Sequence, residues 1–247
     1  MSLPLTKISI NKYQTERQDL ACLFRVAARE NWVEAVANHF SYRVNDNEML
    51  INPRKLFCLM TASDLALVNY HQPINFPSTI DKTAIGLHAP IYQSTPHANA
   101  IIHLHPPYSV VLSSLEDSTL YPIDQCAALL HGKVVIDKEY GGLALDEEGK
   151  RCSQSLQDPN KKILLLGNHG VLAIGKTLAD AWNNLYYFER AAKHLILSYQ
   201  TQKPLQMLSH QIAQRTAMEN DNASEFCDLY FESLKELINR EEPDYKN

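Results

Sequence analysis

The sequence predicts an α/β layered domain over residues 1–247, in which residues 203–247 form a helical C-terminal extension. Short apolar runs typical of strands alternate along the chain with segments whose apolar residues recur at helical spacing. Apolar residues make up 45% of the chain and charged residues 21%, which is the composition of a globular protein. The length of 247 residues fits one large domain.

The chain is expected to begin with a helix and a hairpin. The pattern at 15–18 has the form of a capping box, and apolar residues after it recur at helical spacing to about Asn31. Two β-prone segments, 41–44 and 49–51, flank the turn residues 45–47. This arrangement predicts an antiparallel hairpin.

Prolines and polar caps set the boundaries of the later elements. Pro90 is expected to kink or shorten one helix, and Pro106 ends an apolar strand. Thr177, with Asp180 three residues on, caps a long amphipathic helix. The other expected elements are a short helix or turn with a strand (61–68), a loop (69–82), helices (87–93, 108–115 and 223–238) and strands (100–105, 134–136, 162–166 and 171–174).

The charge balance and the cysteines exclude several classes of function. Lys and Arg number 23 and Asp and Glu 28, so the net charge of −5 gives no general attraction to nucleic acid or anionic membranes. The 5 cysteines are scattered without a Cys-x-x-Cys pair, which argues against a disulfide framework or a thiolate zinc site. The start lacks signal-peptide features, and no apolar run reaches the roughly 18 residues of a membrane span. We therefore expect a cytoplasmic protein with neither nucleic acid nor membrane as partner.

Histidines cluster in two short motifs. In an extended strand His103 and His105 project to the same side, so their imidazoles can chelate one divalent ion. His169 lies in a turn flanked by glycines and is the best candidate for a third ligand. The alternative is that these rings only form hydrogen bonds in the core, but the two motifs together favour metal binding. His39 could face a ligand or cap the preceding helix.

Five motifs together resemble a known family. Their order and spacing are similar to those of the class II aldolase/adducin family, and the ending at 237–245 is similar to its bacterial adducin-like branch. The resemblance implies a three-layer α/β/α domain with a central mixed, largely antiparallel sheet. It also implies a homotetramer with active sites near subunit interfaces. The five motifs lie at 38–43, 61–65, 87–92, 103–106 and 168–172.

The resemblance also implies a chemistry. Enzymes of this family hold a divalent metal, commonly zinc, with three histidines that match His103, His105 and His169. The metal polarises the oxygens of a small ketose or ketose phosphate and stabilises the enediolate formed when a carbon–carbon bond breaks. The implied substrate is a small hydroxylated carbonyl compound. Tyr140 is a candidate proton donor, because similar proteins carry a tyrosine before Gly-Gly there; the alternative is a packing residue.

Several positions depart from the family pattern. Family aldolases carry a glutamate that approaches the metal and shuttles the proton, whereas this chain has Ala84 there. The small residues that usually hold phosphate are only partly present. Arg54, Lys55 or Lys82 could replace them as cationic donors to a phosphate or carboxylate, or form a solvated basic loop. The candidate substrate-binding residues are Asn38, Ser41, Asn52, Arg54, Lys82 and Thr83.

Two hypotheses for the function follow. The first is a metal-dependent aldolase-like lyase acting on a compound of the sugar or sugar-phosphate type, which the open three-histidine site favours. The second is a non-catalytic, adducin-like assembly domain, with or without the metal, which Ala84 favours. Metal-assisted hydrolysis would use the same ligands, but no spacing singles out its general base.

Overall fold

One mixed sheet forms the centre of the structure, a computed structural model that describes residues 12–73, 76–140, 142, 147–221 and 224–247. The described strands are β1 (His39–Arg43), β2 (Glu48–Ile51), β3 (Ala66–Asn69), β4 (Ala100–Leu104), β5 (Val134–Asp137), β6 (Ile163–Leu166) and β7 (Gly170–Gly175). They are hydrogen-bonded in the order β3-β2-β1-β4-β7-β6-β5. Strands β5 and β6 are parallel, and every other described pair is antiparallel. The mixed, largely antiparallel sheet is therefore confirmed.

Helices cover both faces of this sheet. The described helices are α1 (Gln14–Arg29), α2 (Lys82–Ser94), α3 (Pro107–Ser113), α4 (Gln125–Leu129), α5 (Glu147–Ser155), α6 (Leu178–Gln200), α7 (His210–Asp221) and α8 (Ser224–Glu241). Neighbouring residues of a strand point to opposite faces. Accordingly, Ile102 of β4 belongs to the apolar cluster under α1 and α6, and Ile101 to the cluster under α2 and α5. This arrangement confirms the three-layer α/β/α domain.

The hairpin and the long helix follow the sequence prediction. Strands β1 and β2 pair antiparallel, with Ser41 opposite Ile51. Helix α6 begins after Thr177, whose hydroxyl accepts a hydrogen bond from the backbone N–H of Asp180 at 3.1 Å. An N-cap side chain of this kind satisfies a backbone donor that the helix itself leaves free.

The predicted capping box at 15–18 is wrong. Helix α1 begins at Gln14, so the box lies inside the helix, and the N-cap is Tyr13 in the left-handed conformation with φ 64°. The guanidinium of Arg17 instead donates to the carbonyl oxygens of Lys12 at 2.9 Å and Leu65 at 2.6 Å. These bonds hold the start of α1 against the segment at Leu65, but they do not cap the helix, because the guanidinium donates and the free N–H groups of a helix start need an acceptor.

Helix α2 is longer than predicted and contains Pro90. It begins after Asp81, whose carboxylate accepts from the backbone N–H of Thr83. Proline has no N–H to donate to the carbonyl four residues before it, which here belongs to Gly86. Gly149 of α5 packs against that carbonyl so closely that a Cβ at Gly149 would lie 2.0 Å from the Gly86 oxygen. The proline and the glycine thus allow α5 to cross α2 at backbone distance.

The C-terminal helices end in a segment that we call the C-terminal latch, residues 241–245. Arg25 of α1 is 5% exposed and donates to the carboxylates of Glu242 at 3.0 Å and Asp244 at 2.8 Å. Tyr245 is also buried, and α8 contacts both α1 and α6. The expected helical extension therefore packs on the N-terminal helix. None of the helices in the described ranges has the length and hydropathy that a bilayer span requires.

Candidate active site

The sheet brings the two histidine motifs together at one end of neighbouring strands. His103 lies on β4, His105 directly follows it, and His169 directly precedes β7. Strands β4 and β7 are antiparallel with Leu104 opposite Val171, so the end of one strand adjoins the start of the other. A Cβ at position 170 would lie 2.5 Å from His105 Cδ2, so the glycine there permits the close approach.

The three imidazoles face a common point. The Nε2 atoms of His103 and His105 are 3.0 Å apart, and one ring nitrogen of each histidine lies within 4.8 Å of the others. The opposite nitrogen of His103 lies 3.1 Å from the Val171 carbonyl, and that of His105 lies 2.5 Å from Glu34 Oε2. The Nδ1 of His169 is buried without a hydrogen-bond partner in the described structure. Three converging nitrogen donors, one ring still short of a partner, fit a divalent metal.

Burial keeps these rings neutral. Desolvation, with repulsion from neighbouring imidazoles, lowers the pKa of His103 well below its usual value and that of His169 to about 4. Burial also lowers the pKa of His105, although its contact with Glu34 opposes the shift. A neutral imidazole has a lone pair available for a metal without first releasing a proton. The site is therefore prepared for metal binding near neutral pH.

A buried hydrogen-bonded chain continues from the three histidines into the core. The ring of His39 lies 4.8 Å from that of His103, centroid to centroid. Its Nδ1 is 2.8 Å from Nε2 of His88, whose Nδ1 is 2.6 Å from the hydroxyl of Ser41. That hydroxyl lies 2.8 Å from the Tyr92 hydroxyl. Because His88 has a partner on each nitrogen, it fixes the orientation of the His39 ring beside the cavity.

The histidines line a cavity of about 400 Å³. His39 lines it beside them, and Asp81 and Thr83 contribute the N-terminal end of α2. Arg54 and Glu148 supply opposite charges to its wall. Burial raises the pKa of Glu148. The cavity thus combines three metal-type donors with one guanidinium and two carboxylates, those of Asp81 and Glu148, which suits a small polar compound.

The candidate substrate-binding residues fall into two groups. Arg54 and Thr83 line the cavity, whereas Lys82 is exposed and does not line it. Asn38 and Asn52 are buried behind it. Asn52 accepts from the Phe40 N–H and donates to the Asn38 carbonyl, so it joins the end of β2 to the start of β1, which carries His39. The remaining candidate, Ser41, belongs to the buried chain.

Two further candidates lie apart from the cavity wall. The ammonium of Lys55 forms an ion pair with Asp64 at 2.6 Å, so its charge already has a partner within the protein. Tyr140 is 52% exposed, and its ring centroid lies 6.1 Å from that of His169. The structure therefore places this tyrosine at the rim of the site, beside a metal-type ligand.

Glu34 and Glu148 belong to the site but were not singled out in the sequence. Glu34 lies in the loop between α1 and β1, and Glu148 lies on α5. Helix α5 has only 9 residues, and such a length gives too few turns for a periodic pattern. No spacing connects either glutamate to the histidines, so only the tertiary structure reveals them.

A second cluster of possible ligand atoms lies elsewhere, at Asp124, Cys126 and His194. Asp124 caps α4 by accepting from the Ala127 N–H, and its other carboxylate oxygen contacts the His194 ring. The Cys126 thiol has Arg190 as a hydrogen-bonding neighbour. A helix cap and a carboxylate–imidazole contact thus account for this cluster without a metal.

Comparisons with known proteins agree with this architecture. The family model described as Class II Aldolase and Adducin N-terminal domain matches residues 18–196. Alpha-adducin of Rattus norvegicus is 34% identical over 173 residues, which cover 67% of this chain and 23% of the adducin. The chain thus corresponds to about a quarter of that relative's length.

Two solved structures share the fold over nearly the whole chain. An aldolase II superfamily protein from Pseudomonas syringae superposes with a TM-score of 0.86 and 26% identity, covering 96% of this chain and 97% of that one. The L-fuculose 1-phosphate aldolase from Glaciozyma antarctica superposes with a TM-score of 0.82 and 23% identity, covering 100% and 97%. The family match, the shared fold and the end of the sheet where the histidines meet together show that this chain belongs to the class II aldolase and adducin family.

Proposed function

We propose that this protein is a metal-dependent, aldolase-like lyase that acts on a small hydroxylated carbonyl compound of the sugar or sugar-phosphate type. The observation that carries the proposal is the convergence of His103, His105 and His169, all with lowered pKa, on a cavity of about 400 Å³. Similarity in fold to an L-fuculose 1-phosphate aldolase supports the same reaction class.

The chain's own residues would hold the metal and orient the substrate. Zinc is our first candidate, because three imidazoles with an open position suit it. When bound, the metal would supply the Lewis acidity that withdraws electron density from a carbonyl oxygen. Arg54 would bind the anionic group of the substrate, since a guanidinium matches phosphate and carboxylate geometry. Tyr140, at the rim, is our candidate to donate a proton to the fragment that keeps the electron pair of the broken carbon–carbon bond, while the other fragment gives up its hydroxyl proton and leaves as the aldehyde.

A substrate panel tests this proposal. The protein, loaded with Zn²⁺, Co²⁺ or Mn²⁺, would be incubated with ketoses, ketose phosphates and hydroxy-keto acids, and aldehyde release would be measured. We expect cleavage that His169→Ala abolishes and that the exposed control His71→Ala leaves unchanged. If no compound gives His169-dependent cleavage, the lyase proposal is wrong.

A second variant tests the recognition of an anion. Arg54→Ala is expected to raise KM for a cleaved phosphate or carboxylate substrate by about 10- to 100-fold, because it removes a charge-assisted hydrogen bond. The kcat should change much less. An unchanged KM would show that a residue other than Arg54 binds the anionic group of the substrate.

The second candidate function is a non-catalytic assembly domain, and one observation favours it. Ala84 is fully buried and cannot transfer a proton, and the adducin relative matches this same part of the fold. In that case, replacing His103 and His105 by alanine would leave the oligomeric state unchanged. Light scattering after size exclusion would measure it, and we propose a homotetramer for both candidate functions.

A further inference from the structure

The three candidate metal ligands differ in what holds their outer nitrogen. A histidine that binds a metal through one nitrogen usually donates the N–H of the other to a carboxylate or carbonyl, which fixes the ring. His103 has the Val171 carbonyl in this position, at 3.1 Å, and His105 has the Glu34 carboxylate, at 2.5 Å. For both rings, Nε2 is thereby directed to the shared point.

Among the described residues His169 has no such partner, and the carboxylate of Glu148 lies nearby. Its Nδ1 is buried and forms no hydrogen bond with any described residue. Glu148 Oε1 lies 3.9 Å from that nitrogen, which is longer than a hydrogen bond. The side chain of Glu148 is 21% exposed and lines the same cavity. A buried nitrogen that can donate and a partly buried carboxylate that can accept are thus only slightly farther apart than a hydrogen bond.

The crossing of α5 over α2 explains why the carboxylate comes from α5. Ala84 of α2 is fully buried, in the same apolar cluster as Cys152 of α5. The contact of Gly149 with the Gly86 carbonyl holds the two helices at backbone distance, and Glu148 is the residue before that glycine. The crossing that covers Ala84 therefore also places Glu148 beside His169.

We propose that Glu148 is the positioning carboxylate of this metal site. Its Oε1 accepts the Nδ1–H of His169 and directs Nε2 of that ring to the metal, as Glu34 does for His105. Through this contact α5 supplies a negative charge next to the metal. Helix α2 cannot do so in this chain, because position 84 is an alanine. The assignment rests on the proposed function, because it requires that the three histidines bind a metal.

Metal titration of the whole chain tests the assignment without any substrate. Zn²⁺ and Co²⁺ affinities would be measured by competition with a chelating dye for the wild type, Glu148→Ala and Glu148→Gln. Glu139→Gln is the matched control, because Glu139 is 82% exposed and its carboxylate also lies 3.9 Å from its ion-pair partner, Arg151. Thermal unfolding of each metal-free variant would show that α5 remains folded.

We expect Glu148→Ala to weaken metal binding by about 10- to 100-fold. Glu148→Gln should fall between that variant and the wild type, because the amide oxygen still accepts a hydrogen bond. The intensity of the visible Co²⁺ absorption bands reports the coordination number of the ion. It should be the same in Glu148→Ala as in the wild type, because the carboxylate is not itself a ligand. The control variant should bind like the wild type.

Three results would overturn the assignment. Equal affinity of wild type and Glu148→Ala would show that the carboxylate does not act on the site. A change in coordination number in the Co²⁺ spectrum of Glu148→Ala would show direct ligation instead of positioning. A wild type that binds no metal would overturn both this assignment and the proposed function, whereas either of the first two results leaves the proposed function standing.

Discussion

The C-terminal latch and the histidine site both bury polar groups, but they do so in opposite ways. In the latch, the buried guanidinium of Arg25 has carboxylate partners at 3.0 and 2.8 Å, so its charge is fully matched. At the histidine site the rings are neutral, because burial lowers their pKa, and the Nδ1 of His169 has no partner in the described structure. Protein groups satisfy the buried charge of the first region, whereas the second region keeps a buried nitrogen without a described partner.

The comparison assigns the two regions different roles: the C-terminal latch contributes stability, and the histidine site is the candidate for ligand binding. Removing one partner of a buried ion pair destabilises the folded state, because the other charge loses its match. Unmatched polar groups inside a cavity cost stability and are retained where a bound molecule completes them. Substitutions in the two regions should therefore have different signatures, which the following predictions order from the largest expected effect to the smallest.

Arg25→Ala should give the largest loss of stability. It removes the ion pairs to Glu242 and Asp244 and the 2.9 Å hydrogen bond to the Met60 carbonyl. We expect the free energy of unfolding in urea to fall by about 3 kcal/mol, because the change removes a buried guanidinium together with its ion pairs and its hydrogen bond to a backbone carbonyl. Arg240→Ala, at an arginine whose side chain is 72% exposed, is the control and should change little. Equal effects of the two variants would show that the latch is not a stabilising element.

Gly149→Ala should give the second largest loss of stability. Its cause is steric overlap where α5 crosses α2, not the loss of a charge. The new Cβ would lie 2.0 Å from the Gly86 carbonyl oxygen and 3.1 Å from Pro90 Cγ, so α5 must move away from α2. We expect a loss of about 2 kcal/mol from this overpacking, although alanine is the better helix former. Urea unfolding would measure it, with Lys150→Ala on the exposed face of α5 as control. A more stable Gly149→Ala would mean that the crossing has free space.

The pH dependence of stability should also distinguish the two regions. Burial lowers the pKa of His88 to about 3, whereas an unfolded histidine titrates near 6.5. Below pH 6.5 the unfolded chain therefore binds a proton that the folded chain does not. The metal-free protein should lose about 1.4 kcal/mol per pH unit for each such ring as the pH falls toward 4.

His88→Gln isolates the contribution of one ring to this pH dependence. The variant should show a shallower fall in unfolding free energy between pH 6.5 and 4 than the wild type does, whatever its stability at pH 7. Urea unfolding at several pH values measures both slopes, and Arg25→Ala should keep the wild-type slope. Parallel curves for His88→Gln and the wild type would contradict the proposal that this ring is held neutral.

Arg29→Ala should have the smallest effect. Its side chain is 33% exposed, and its partners Glu241 and Glu242 are 43% and 24% exposed, so solvent screens much of this pairing. We expect a loss of at most about 1 kcal/mol, which high salt should reduce further. Comparison with Arg25→Ala on the same helix would then show how much of the latch depends on burial. A loss as large as that of Arg25→Ala would show that exposure does not decide the contribution.

The periodic elements of this fold could be predicted from the sequence, whereas contacts between distant segments could not. The apolar runs of β4 and β6 and the Thr177 cap depend on local patterns, and each is present. The capping-box prediction is wrong because the helix begins at Gln14, before the box, and Arg17 inside it bonds to the carbonyl of Leu65, a contact that no local pattern records. Within the site, the strand geometry indicated His103 and His105, but Glu148 lies on a 9-residue helix whose position depends on the Gly149 contact.

Under the proposed function, the pairing of Leu104 with Val171 would link metal binding to the integrity of the sheet. In the unfolded chain only the His103 and His105 pair remains close in sequence, so a complete set of three ligands exists only when β4 and β7 are joined. A metal that prefers the complete set raises the free energy of unfolding by RT ln(1 + [metal]/Kd), about 2.7 kcal/mol at one hundred times Kd. A shortage of the metal would thus lower the free energy of unfolding of the central sheet, in addition to any effect on catalysis.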